Sequence, residues 1–178
     1  MIYMLHGAAG STADWDEFMP LLGVSGVKAV DIYANEATGL DAFALALNEM
    51  ASPGDVLIGY SMGGRLALHA LLNQGHKWSK AVIISAHTGI PEPEDRERRV
   101  NADGVWAQLI LKDWDDFVDQ WMGQSVFGGR KMSWDRSKPV APVDRVQRCF
   151  TCWSLGKQKN LIDELVTVNA PVLWISGE

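Results

Sequence analysis

The serine at position 61 lies within the pentapeptide GYSMG of residues 59–63, which matches the pattern G-x-S-x-G. An apolar segment, 56–59, leads into it, and a helix-forming segment, 65–72, follows. On a tight strand-to-helix turn, a serine hydroxyl projects at the carboxyl edge of a sheet, and small neighbours let the strand and helix pack that closely. The pattern therefore predicts a nucleophile elbow with Ser61 as the catalytic serine. The alternative interpretation is a glycine-rich turn with an incidental serine.

A second glycine-containing loop, HGAAG at 6–10, follows the first apolar segment of the chain. Loops in this position supply one backbone N–H to an oxyanion hole, and the residue after the nucleophile supplies the other. We expect Ala8 and Met62 to be these two donors. His6 itself is expected to be a structural loop histidine and not the general base.

The elements that must position these residues are indicated by short apolar runs that alternate with amphipathic segments. Strands are predicted at 2–5, 27–32, 56–59, 81–85 and 171–176. Helices are predicted from apolar stripes over 15–22 and 43–50 and from the segment 65–72. This alternation predicts an α/β fold, with a mostly parallel sheet that carries helices on both faces.

The stretch 91–155 interrupts this alternation, because it is rich in tryptophan and charge and contains no clear strand. We interpret it as a helical cap insertion after the fourth strand. Residues 1–90 and 156–178 would then form the α/β core, and the whole chain would be one structural domain.

Composition narrows the class of protein. The chain has 178 residues, 47% hydrophobic and 21% charged, which suits one globular domain. Its formal net charge of -6 argues against a nucleic-acid partner. No apolar run is long enough for a membrane span and no leader peptide is visible, so no membrane partner is expected. Two cysteines cannot form a disulfide framework, so a cytoplasmic location is expected.

No cofactor or metal is expected from the sequence. The two cysteines, Cys149 and Cys152, fall on one helix face without a second pair of ligands, so they are expected to be core residues. No cluster of His, Cys, Asp and Glu has metal-ligand spacing, and no glycine-rich phosphate loop with a lysine is present.

Several segments together carry a family resemblance: GYSMGGRLAL at 59–68, SAHTGI at 85–90, DGVWA at 103–107 and FVDQW at 117–121. With the charged run that ends in Arg98-Arg99, they resemble the 2-succinyl-6-hydroxy-2,4-cyclohexadiene-1-carboxylate synthases of menaquinone biosynthesis. The resemblance runs from residue 6 to 178. Thr88 departs from it, because the family usually has proline there.

The resemblance implies an α/β-hydrolase fold and a lyase that eliminates pyruvate from 2-succinyl-5-enolpyruvyl-6-hydroxy-3-cyclohexene-1-carboxylate. The serine triad would act in proton removal and the oxyanion hole would hold the developing charge. The partner would be a small polycarboxylate, which needs fixed cations. The implied substrate-binding residues are Tyr60, Arg65, Arg99 and Trp121, with a third arginine among Arg136, Arg145 and Arg148.

Each of these side chains also has a plainer interpretation. Arg65 can be a solvated helix residue, Arg99 part of a solvated charged face, and Trp121 a packing residue. The sequence gives no indication of the oligomeric state.

The resemblance places the triad aspartate just beyond Glu178 and the histidine after a further strand, so the acid, the base, the last strand and its helix have no counterpart in the printed sequence. We therefore expect a longer gene product and a 178-residue chain that is poorly stable or inactive. Two other functions stay open. One is a serine hydrolase of a small ester or thioester; the other is a noncatalytic relative that binds an anion through Arg65 and Arg99.

Overall fold

A computed structural model describes residues 1–74, 77–128 and 136–177. Five parallel strands form one sheet in the order β2-β1-β3-β4-β5. The strands are β1 (Ile2–Leu5), β2 (Val27–Val30), β3 (Asp55–Tyr60), β4 (Trp78–Ile84) and β5 (Val172–Ile175). The helices are α1 (Leu40–Met50), α2 (Met62–Gln74), α3 (Pro93–Lys112), α4 (Trp114–Met122), α5 (Val143–Cys152) and α6 (Ile162–Leu165).

The two faces of the sheet are covered differently. Alternate residues of a strand point to opposite faces, so Leu5, Leu57 and Ile83 join the larger core with α1 and α2. Met4 and Ile58 belong to a smaller cluster with Trp15 on the opposite face. Because all five strands are parallel, their carboxyl ends meet at one edge, which is where a site in such a sheet forms.

All five predicted strands are present, with some bounds moved. β2 ends at Val30 because Ile32 begins a 3₁₀ helix (Ile32–Ala34), for which the Asp31 side chain accepts a hydrogen bond from the Tyr33 N–H at 2.9 Å. β4 begins at Trp78, three residues before the predicted start.

The helix predicted over 15–22 is wrong. The chain forms two 3₁₀ helices there, Thr12–Trp15 and Met19–Leu22. Pro20 is the physical reason, because proline has no N–H to continue an α-helical ladder and restricts the residue before it. Of the apolar stripe only Trp15 is buried, whereas Phe18 is 39% exposed.

Helices α3, α4 and α5, which we call the insertion helices, lie between β4 and β5 along the chain. An aromatic cluster joins them: the ring of Trp121 lies 5.3 Å from Trp106 and 5.1 Å from Phe150, both nearly edge-on. The division into a core and a cap stays a prediction. Within the described ranges, no helix has both the length and the hydropathy required to cross a bilayer.

The α1–α2 interface contains a buried histidine. His69 is 4% exposed, and its Nδ1 lies 2.7 Å from Asp41 Oδ1. Within the described chain, His69 Nε2 has no hydrogen-bond partner. Burial lowers the pKa of His69, while the hydrogen bond to His69 lowers the pKa of Asp41. A neutral imidazole that donates from Nδ1 fits both shifts.

The lowered pKa of His69 predicts a loss of stability on acidification. Below the ordinary histidine value of about 6.5, the unfolded chain binds a proton that the native state resists. The lowered pKa of Asp41 acts in the same direction at more acidic pH. We expect the free energy of unfolding to fall between pH 7 and 5, and His69→Gln to reduce that slope. Denaturant unfolding at both pH values measures it, and an unchanged slope in the variant would contradict it.

Candidate active site

Ser61 stands on a strained turn between β3 and α2. Its φ is +52°, in the left-handed region that non-glycine residues seldom adopt. Its N–H donates to the Ile84 carbonyl at 2.8 Å, and its own carbonyl accepts from the Arg65 N–H at 3.0 Å. The sheet and the first turn of α2 thus hold the residue in place. This geometry is that of a nucleophile elbow.

Three glycines around Ser61 lie so close to neighbouring segments that a side chain at any of these positions would collide with them. A Cβ on Gly59 would lie 2.6 Å from the Gly63 carbonyl oxygen, and one on Gly63 would lie 2.5 Å from the His6 carbonyl oxygen. A Cβ on Gly64 would lie 2.6 Å from the Cβ of Ala86. The elbow therefore rests directly on the segments that follow β1 and β4.

His6 is a structural residue of the loop after β1. It is fully buried, its Nδ1 lies 2.9 Å from the Gly7 carbonyl oxygen, and its Nε2 accepts from the Ile32 N–H at 3.3 Å. Since Nε2 accepts, Nδ1 carries the proton and donates to Gly7. Both ring nitrogens are thereby engaged in fixing the loop that contains Ala8.

A cavity of about 300 Å³, which we call the polar cavity, opens beside Ser61. It brings together the expected residues Ala8, Ser61, Met62, Arg65, Arg99 and Trp121. Its remaining lining residues are Ser85, His87, Asp103, Val126, Phe150 and Leu155. The two expected oxyanion donors thus line the same cavity as the serine, although their role stays a prediction.

Arg65 is a buried cation one turn after Ser61. The residue is 6% exposed; Nη2 donates to the Trp153 carbonyl at 2.8 Å and Nη1 to Gln158 Oε1 at 3.3 Å. Burial, together with nearby Arg99, lowers the pKa of Arg65 to about 10, and Asp103 opposes that shift. Arg65 therefore keeps its charge at neutral pH, with two uncharged groups as its hydrogen-bond acceptors. The solvated interpretation of Arg65 is wrong.

Arg99 reaches the same cavity from α3. Its Nε donates to Asp103 Oδ1 at 2.8 Å, and the Ser154 hydroxyl donates to Asp103 Oδ2 at 2.7 Å. Asp103 is 3% exposed, whereas the Arg99 side chain is 40% exposed. A buried carboxylate thus anchors an arginine that remains open to the cavity.

A second cavity of about 360 Å³, the apolar cavity, adjoins the first through Ala8 and Trp121. Tyr60 and Arg136 line it. The other lining residues are His6, Gly7, Ala9, Asp14, Trp15, Ile84, Met122 and Phe127. Burial and the charge of Asp14 raise the pKa of Tyr60, so its phenol is neutral at neutral pH.

Of the three candidates for a third arginine, the structure brings Arg136 to the site. It is 9% exposed and lines the apolar cavity. Arg148 donates instead to the Asn35 carbonyl at 2.6 Å. Arg145 lines neither the polar nor the apolar cavity.

No histidine ring in the described part of the chain hydrogen-bonds to the Ser61 hydroxyl. His6 and His69 are engaged elsewhere, and His76 lies outside the described residues. His87 lines the polar cavity, but its Nδ1 accepts from the Gly89 N–H at 3.0 Å. The general base is therefore not assigned to any of these residues.

Sequence reasoning did not single out three polar residues that line the two cavities. Asp103 lies four residues after Arg99, and that ion-pair spacing was a readable signal. Ser85 follows β4 with a φ of +48°, and nothing in its sequence context indicates this. Asp14 meets Arg136 across 122 residues, a separation at which no local pattern operates.

Metal ligation has no visible basis in the described ranges, where no three His, Cys, Asp or Glu side chains are arranged to hold an ion. Cys149 is buried and Cys152 half-buried, and both are free thiols. Burial raises the pKa of Cys149 far above its usual value, so it is an unreactive thiol.

Comparison with known proteins places this geometry in a family. The model of the alpha/beta hydrolase family matches residues 2–178. A 2-succinyl-6-hydroxy-2,4-cyclohexadiene-1-carboxylate synthase from Pectobacterium atrosepticum is 27% identical over 190 residues, covering 97% of this chain and 75% of that protein.

Solved structures agree on the fold. MenH from S. aureus superposes with a TM-score of 0.87 at 20% identity, over 99% of this chain and 74% of that one. A carboxylesterase from Nitrososphaera gargenis gives a TM-score of 0.73 at 14% identity, over 99% and 71%. At these identities, both similarities concern the fold alone.

The backbone contact at the elbow predicts the effect of one added methyl group. Gly63→Ala would force its Cβ against the carbonyls of Leu5 and His6 at the end of β1, and we expect it to lower the free energy of unfolding by about 2 kcal/mol or more. Gly104→Ala is the matched control, because a Cβ there meets nothing within 4 Å and the site is inside α3. It should raise stability by about 0.5–1 kcal/mol. Urea unfolding of both variants tests this, and equal effects would refute the close approach.

Proposed function

The chain belongs to the alpha/beta hydrolase family, and from that premise we propose that it is the menaquinone-pathway lyase which releases pyruvate from 2-succinyl-5-enolpyruvyl-6-hydroxy-3-cyclohexene-1-carboxylate. The names of its relatives support the pathway. The choice of a lyase acting on a polycarboxylate is supported by the charges around Ser61.

The observation that carries the proposal is the pair of cations beside the serine. Arg65 is buried and donates to two neutral acceptors, so its charge lacks a hydrogen-bonded carboxylate. A buried ion that hydrogen-bonds only to neutral groups is costly even with Asp103 nearby, and a ligand carboxylate bonded directly to it would relieve that cost. Arg99 lines the same cavity and is partly open to it. A site for an uncharged ester has no need of two such cations.

Arg136 supplies a third cation to the adjoining apolar cavity. Arg65 and Arg99 thus line the polar cavity together with Ser61, Arg136 lines the apolar cavity, and Ala8 lines both. Arginine can bind a carboxylate through two parallel N–H groups, which fixes orientation as well as charge. A compact ring that bears several carboxylates matches this arrangement.

In the proposed reaction, a base removes a proton from the ring, the electron pair forms a new ring double bond, and the existing ring double bond shifts as the carbon–oxygen bond to the enolpyruvyl group breaks. The enolate that leaves takes up a proton at its methylene carbon and becomes pyruvate. The backbone N–H groups of Ala8 and Met62 would hold the charge that develops on oxygen. Ser61 would take part in the proton transfer with a base that the described residues do not supply. The inactivity of residues 1–178 on their own stays a prediction, so binding is measured alongside turnover.

A serine hydrolase of a small ester or thioester is the second candidate, and the apolar cavity favours it. Trp15, Ile84 and Phe127 offer an apolar wall next to Ala8, where an acyl group could lie. The two functions differ in covalent chemistry. An activated ester would give a Ser61-dependent burst with a hydrolase, whereas the lyase would release pyruvate without an acyl-enzyme.

Arg65→Met tests the role of the buried cation, because methionine keeps much of the volume and removes the charge. We expect kcat/KM for pyruvate release, or 1/Kd for the substrate where turnover is absent, to fall at least roughly 30-fold. Arg98→Met is the matched control: its side chain is 71% exposed, and it should change neither quantity. Urea unfolding of both variants checks folding. An unchanged kcat/KM or Kd in folded Arg65→Met would refute the proposal.

A further inference from the structure

An ion pair crosses the wall of the apolar cavity. Arg136 Nη2 lies 3.4 Å from both carboxylate oxygens of Asp14. Both side chains are largely buried, with 16% of Asp14 and 8% of Arg136 exposed. A strong bond between charged nitrogen and oxygen is about 2.7–2.9 Å long. The pair is therefore close enough to balance charge in a low-dielectric site, but it is looser than a tight arginine–carboxylate fork.

The pair joins two parts of the molecule that both face the ligand space. Asp14 lies in the 3₁₀ helix that follows the Ala8 loop, and a Cβ on Gly10 would collide with its carboxylate. Arg136 precedes α5. Both line the cavity that opens onto Ala8 and Trp121.

The partner of Arg99 behaves differently from Asp14. Asp103 is bonded to Arg99 at 2.8 Å and also accepts from Ser154 at 2.7 Å, so both of its oxygens are engaged at short distance. Asp14 has the longer contacts to Arg136 and a 3.5 Å contact from the Ser11 hydroxyl. Of these two carboxylates, Asp14 is the one that a competing anion can replace.

We propose that Asp14 is an exchangeable internal counterion of Arg136, which a substrate carboxylate replaces on binding. Asp14 is thus a positioning residue, and it sets specificity for an anionic group at this end of the substrate. The proposal rests on the polycarboxylate function above.

The exchange has a physical rationale. Without ligand, Asp14 reduces the cost of keeping the Arg136 charge in an apolar wall. A ligand carboxylate replaces one negative charge beside Arg136 with another, whereas an uncharged ligand group gains nothing from Arg136. Asp14 therefore lowers affinity for the correct ligand and disfavours neutral ones.

The exchange is tested by whether Asp14→Asn raises or lowers the affinity for a carboxylate ligand. The probe is propane-1,2,3-tricarboxylate at constant ionic strength, followed by intrinsic fluorescence because Trp15 and Trp121 line the apolar cavity. We expect Kd to be about five- to tenfold lower in Asp14→Asn, since the Asp14 carboxylate no longer competes with the probe for Arg136. Asp14→Glu, which retains the charge, should bind no more tightly than the wild type.

Two further variants complete the design. Combining Asp14→Asn with Arg136→Gln should abolish the gain in affinity for the tricarboxylate, because the Arg136 cation is no longer present. Asp95→Asn removes a carboxylate from the exposed Asp95–Arg98 pair on α3 and should leave Kd unchanged. Folded Asp14→Asn that binds the probe equally or more weakly than a binding wild type overturns the exchange alone. Absence of binding in both the wild type and Asp14→Asn overturns the polycarboxylate function as well.

A measurement on the wild type keeps the proposal testable if Asp14→Asn fails to fold. In crystals soaked with the same tricarboxylate, a ligand carboxylate should contact Arg136, with Asp14 displaced from it. A bound ligand with the Asp14–Arg136 pair intact would overturn the proposal.

Discussion

The arrangement of this site depends on one close contact, the backbone-to-backbone approach of α2 to the ends of β1 and β3. Glycine at 59 and 63 leaves no Cβ between Ser61 and the carbonyls behind it. That approach holds Ser61 at a positive φ, places Met62 at the start of α2 and sets Arg65 one turn further along. The loop of Ala8 is fixed against the same contact through buried His6. The catalytic serine expected from the sequence, the two expected oxyanion donors and Arg65 are thus all held by this one close contact, which we call the support.

Two of the three arginines at the site do not belong to that support but to the segments around it. Arg99 and Arg136 come from the region between β4 and β5, and each has an aspartate beside it. Arg65 belongs to the support itself and is held by a carbonyl and an amide oxygen. The three arginines therefore differ in what holds them. Arg65 on α2 is held by neutral acceptors, whereas Arg99 and Arg136 are oriented by carboxylates.

Sequence reasoning predicted the sheet and the elbow better than the segments that surround them. The five strands and the elbow follow from local patterns, since apolar runs and glycines act over a few residues. The helix expected over 15–22 failed because Pro20 overrides an apolar stripe. The sequence left Arg136, Arg145 and Arg148 equivalent, and only the tertiary structure separates Arg136, lining a cavity, from Arg148, bonded to Asn35. Its pairing with Asp14 joins distant positions, which a single sequence does not reveal.

The aspartates beside two of the arginines also affect how an anion reaches the site from solution. Seen from beyond about 10 Å, paired charges largely cancel, and the whole chain carries a net charge of -6. For the proposed polycarboxylate, this net charge would mean repulsion during diffusion, and attraction would arise only close to the arginines of the two cavities. Added salt would screen the repulsion and speed encounter, while weakening the contacts made afterwards. Capture and retention of the ligand would then respond to ionic strength in opposite directions.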